Sequence, residues 1–85
     1  MLGTGTSVCE RMNVWIARSK ADIERMGETI RRLQNHLDRL MAQHPPDATL
    51  IQEVRETLEQ SERERTMARS QLQVLEEEYS AECSP

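Results

Sequence analysis

The stretch "LMAQHPPDATLIQEV", residues 40–54, decides the fold. Two adjacent prolines stand in the middle of what otherwise reads as one long amphipathic helix. Pro45 and Pro46 have no N–H to donate, and each pushes the residue before it out of helical geometry. The first helix is therefore expected to stop near Gln43. Just beyond the prolines, Asp47 or Thr49 can cap a second helix, and Thr49 to Gln52 has capping-box spacing. Upstream, "SVCE" at residues 7–10 is also a capping box, with Ser7 and Glu10 able to satisfy each other's backbone N–H. These signals predict helix 1 over 7–43, a turn at 44–48 and helix 2 over 49–81, with tails at 1–6 and 82–85.

Apolar residues on both sides of the turn alternate by three and four. In helix 1 they are Cys9, Met12 and Ile16, then Ile23 to Leu40, with only Ser19 polar in the series. In helix 2 they are Ile51, Val54 and Leu58, then Ala68, Leu72, Leu75 and Tyr79, interrupted by Ser61 and Arg65. A seam repeating every 3.5 residues is the mark of supercoiled helices. One uninterrupted seam also fits a parallel dimer of long helices, but the diproline opposes it. In an antiparallel hairpin, paired layers have residue numbers of constant sum. Leu40 and Ile51 sum to 91, as do the two prolines at the centre of the turn. The same sum pairs Leu37 with Val54, Leu33 with Leu58, Ile16 with Leu75 and Met12 with Tyr79. Turn and seams thus agree on an all-α, two-helix antiparallel coiled-coil hairpin, which a partner or a second copy would complete into a helical bundle.

Composition narrows the function. Eighty-five residues make one small domain with a thin core. Aromatic residues are 2% and charged residues 31%, a balance that suits exposed helices better than an enclosed pocket. A net charge of −4 disfavours nucleic-acid binding by the whole chain. No apolar run approaches the roughly 20 residues of a membrane span. The first ten residues lack the basic start and apolar stretch of a secretory signal, so an intracellular, cytoplasmic setting is expected. No nucleophile–base pair, glycine-rich phosphate loop or zinc-type spacing is present, and no catalytic residue, metal or cofactor is expected.

Three features remain as candidates. Ser61 and Arg65 form a polar layer in the seam beside Met26 and Gly27, which reads as a device that fixes register. Val8 and Trp15 lie one position before seam residues, and the antiparallel pairing brings Met67 and Val74 to the same side. These four are expected to form one apolar face near the open end, suited to a helical protein partner. Arg11, Arg18, Arg25, Arg32 and Arg39 recur every seven residues down helix 1. Heptad proteins repeat surface charges routinely, and local pairs (Arg18 with Asp22, Glu28 with Arg25 and Arg32) account for much of such a ladder. Arg11, Arg18 and Arg25, nearest Trp15, join the candidate docking set.

Cys9 and Cys83 sum to 92 and lie across the open end. A disulfide there would clamp the two ends in an oxidising space; in the reducing compartment expected, the favoured reading is two free thiols, with Cys83 in a frayed tail. The functional expectation is a non-enzymatic interaction protein, a hairpin subunit acting as scaffold component, adaptor or co-chaperone. The alternative is a homodimeric four-helix bundle. An anionic-surface or nucleic-acid binder using the arginine ladder is the least favoured.

Overall fold

The computed structural model describes residues 3–83, with side chains from Val8 onward. Two helices account for nearly all of it: α1, Gly3–Met41, and α2, Ala48–Cys83. They run antiparallel along most of their length in a rod of 68 × 17 × 15 Å. No helix among the described residues is long and apolar enough to cross a membrane.

The turn is built from the expected signals, with tighter bounds. Helical bonding closes with the Ala42 N–H on Asp38 C=O and the Gln43 N–H on Leu40 C=O. The His44–Pro45 peptide is cis. Of the two capping candidates, Asp47 holds the place: its Oδ1 accepts the Leu50 N–H at 3.0 Å, and its carbonyl accepts the Ile51 N–H at 3.0 Å. Thr49 sits inside the first turn of α2 instead.

At the other end the helices run longer than their sequence signals. Helical backbone begins at Gly3 and passes through Ser7, so Ser7 is not an N-cap and most of the 1–6 tail is helical. Helix α2 likewise runs on to Cys83, two residues past Ala81. Adding a turn to a formed helix costs little once it is nucleated. Residues 1–2 and 84–85, the remainder of the two tails, lie outside the described residues.

The seam emerges as read. Every seam position from Cys9 to Leu40 and from Ile51 to Tyr79 is buried or half-buried. The best-buried side chains are Ile16, Ile30, Leu40 and Val54. Contacts on the flanks test the register independently. If layers sum to 91, the residues flanking them on one side must sum to 96. Lys20 meets Glu76 at 3.4 Å and Arg55 reaches Met41 Sδ at 3.8 Å, and both pairs sum to 96. On the other flank the sum must be 93. Trp15 with Glu78, and Asp22 with Gln71, satisfy it and line one groove; Thr29 with Glu64 does so in the next.

Arg65 lies beside Gly27. Arg65 is half-buried at its seam position, and a Cβ on Gly27 would lie 3.8 Å from its Nη1. That is an ordinary van der Waals distance, so the guanidinium passes Gly27 without requiring a glycine there. Among the described residues no buried side-chain polar atom lacks a partner, so the layer of Ser61 and Arg65 is polar without being orphaned.

Candidate docking groove

One side of the hairpin carries a trough between the helices. Its open-end section is floored by Met26, Ala68 and Leu75, with Trp15 and Val74 on opposite walls. Asp22 and Met26 continue into a middle section with Arg25 and Thr29, where Ser61 and Glu64 form the α2 side. Ser61 and Glu64 also border a depression on α2 alone, nearer the turn, with Glu53, Glu56 and Gln60. The trough is therefore apolar at the open end, and the α2 surface flanking it toward the turn is acidic.

The expected apolar face is only partly assembled. Trp15 is 63% exposed and Val74 54%, and they share the groove. Met67, 62% exposed, lies instead in a separate shallow depression on α2 with Glu62, Arg63 and Thr66. It occupies the same heptad position as Val74, on the shoulder of the helix, but seven residues nearer the turn and level with Arg25 rather than with Trp15. Val8 is exposed and lies outside the groove's lining. The core of the candidate site is thus Trp15 and Val74, with Met67 and Val8 as outliers.

Sequence reasoning missed Val14. It is exposed and lines a depression on the outer side of Trp15 with Arg11, Arg18 and Glu10. The available signal was an apolar residue two places before Ile16, outside the seam and adjacent to the tryptophan. Arg11 and Arg18 share that depression with Trp15, whereas Arg25 lines the middle section of the trough. Asp22 bonds Arg25, three residues on, rather than Arg18. The local pairs expected for Glu28 are not among the ion pairs of the described residues.

Charge is divided between the helices. Helix α1 carries seven Lys or Arg against five Asp or Glu, a net of +2, whereas α2 carries four against nine, a net of −5. The surface of α2 is knitted by Gln-to-Glu bonds at i,i+4: Gln52 to Glu56, Gln60 to Glu64 and Gln73 to Glu77. Three of its nine carboxylates are tied to α2 itself in this way, Glu56 and Glu64 of the acidic surface near the turn among them.

The cysteines are joined. Cys9 and Cys83 form a disulfide with Cα atoms 5.8 Å apart, which corrects the expectation of two free thiols. The tail expected to fray is helical through Cys83, so the register carries the two residues together. The bond closes the open end, next to the Trp15 section of the trough. No group of His, Cys, Asp or Glu among the described residues is arranged to hold a metal ion.

In comparisons with protein-family models, curated proteins and solved structures, the chain matches none.

Proposed function

We propose that the chain is a non-enzymatic protein–protein interaction module. In this reading the hairpin is a small subunit of a larger assembly, a scaffold component, adaptor or co-chaperone, that docks by its open-end groove on helical protein. The observation that carries it is Trp15, the sole tryptophan, standing 63% exposed across a groove from Val74 in a chain with no fully buried side chain among the described residues. Tryptophan is enriched at interface centres, where it adds contact area at low entropic cost.

Two features support a protein partner over an anionic surface. The arginine ladder runs beside a helix of net charge −5, so no broad basic face forms. Aromatic interleaving, which single-stranded nucleic acid would require, is absent. A Cys9–Cys83 disulfide fits an oxidising compartment better than the cytoplasmic setting expected from the sequence.

The test is affinity capture with the disulfide-bonded chain as bait. Wild type is compared with Trp15→Ala, and helical content is checked by circular dichroism. A defined partner lost on substitution, with the hairpin still folded, supports the reading. An unchanged partner set moves the docking surface elsewhere.

A further inference from the structure

We infer that the occupant of the trough is a second copy of this chain, seated parallel to the first with both turns at the same end. This rests on the reading of the groove as a docking surface and names its partner.

The inference starts from the trough, apolar by Trp15 and Val74, and from the α2 surface flanking it toward the turn, acidic by Glu53, Glu56 and Glu64. A partner must match both at once. Helix α1 of the same chain offers an apolar anchor and cations together: Trp15 lies in its open-end half, and the arginine ladder runs its whole length, with Arg25, Arg32 and Arg39 toward the turn. A two-fold axis along the rod sets α1 of each copy beside α2 of the other, at equal height. By the register, Trp15 of one copy then lies level with Val74 and Glu78 of the other. Arg39 lies level with Glu53, Arg32 with Glu56 and Gln60, and Arg25 with Glu64. The helix of net +2 meets the helix of net −5 on both sides of the axis.

The other face-to-face two-fold, across the rod, fails on charge. It lays α1 against α1 and α2 against α2, so that arginine ladder faces arginine ladder and the helix of net −5 faces its own copy. It also puts each Trp15 against the turn half of its partner, away from Val74. Like charges in register disfavour that pairing.

Surface area is consistent with a missing neighbour. The chain exposes 6574 Å², against about 5,200 Å² expected for a compact monomer of its mass. The excess on this one chain is larger than the roughly 800 Å² that each partner contributes to a standard interface.

Sedimentation equilibrium on the oxidised chain tests the proposal. Wild type is expected at twice 9.9 kDa. Trp15→Ala is expected to weaken association at least tenfold. The pair Arg32→Glu with Arg39→Glu, and the pair Glu53→Arg with Glu56→Arg, are each expected to weaken it severalfold, and all four together to restore it, because the swapped charges again face each other. Circular dichroism shows that each variant still folds. A wild-type mass of one chain at every concentration overturns the second copy, as does failure of the fourfold variant to recover. If that single chain still needs Trp15 to capture a different protein, the docking reading stands and only the identity of the occupant falls.

Discussion

Gly27 stands beside Arg65, the charged residue of the seam, yet Arg65 does not require a glycine there: an alanine Cβ would meet its Nη1 at 3.8 Å, an ordinary contact. Gly27→Ala is therefore expected to stabilise the hairpin, by up to about 1 kcal/mol of helix propensity. A thermal melt shows this as a rise in midpoint, and a fall would mean that Arg65 needs the full gap. Trp15 has the opposite profile. Being mostly exposed, its replacement by alanine is expected to shift folding stability by roughly 0.5 kcal/mol or less, even though association depends on it. The seam residues were legible one by one, because period 3.5 dictates which side chains leave water. Val14, Val8 and Met67 were less so. Whether an off-seam residue lines a groove depends on its height along the rod and on the size of its neighbours across it, which periodicity alone does not encode.

Among the elements, α2 is the better defined in sequence. Its start was narrowed to two residues, and a hydrogen bond from the Leu50 N–H selects Asp47. Asp47→Ala is expected to cost about 1 kcal/mol, read from urea denaturation, while Thr49→Ala costs clearly less. Equal costs would mean that the cap is shared. The start of α1 was misplaced because a capping box marks where a helix is able to begin; it does not oblige the helix to stop there. Gly3 and Gly5 are poor helix formers, but only by about 1 kcal/mol each, and continued backbone bonding offsets part of that. The C-terminal end of α2 was short by two residues for a related reason: no proline or glycine stands between Ala81 and Cys83 to enforce a stop. Those two residues decide the fate of the cysteines.

On the scale of the whole molecule, the hairpin is a rod that shields little of itself. Its radius of gyration is 19.2 Å, against about 12 Å for a compact domain of the same length. A clamp is valuable to such a chain. The Cys9–Cys83 bond spans 74 residues, and closing a loop of that size in the unfolded state is worth about 4 kcal/mol in the chain-entropy picture. Cys9→Ser with Cys83→Ser is expected to lower the melting midpoint by many degrees and to loosen the Trp15 end before the turn. Hydrogen exchange resolved along the chain reads that gradient; uniform protection in the variant would contradict it. The overall architecture was legible because turn, seam and charge all obey one register. The clamp was not, because sequence spacing places two thiols near each other without saying which redox state they occupy. The most direct measurement of the central claim, that the Trp15 face is covered when the protein works, is oxidative footprinting. The dilute isolated chain is compared with the chain in its native assembly, with Met41 at the turn end, 50% exposed, as an internal reference. Trp15 is expected to react readily in the first and to be shielded in the second, while Met41 reacts in both. Equal labelling of Trp15 in the two states would contradict the claim.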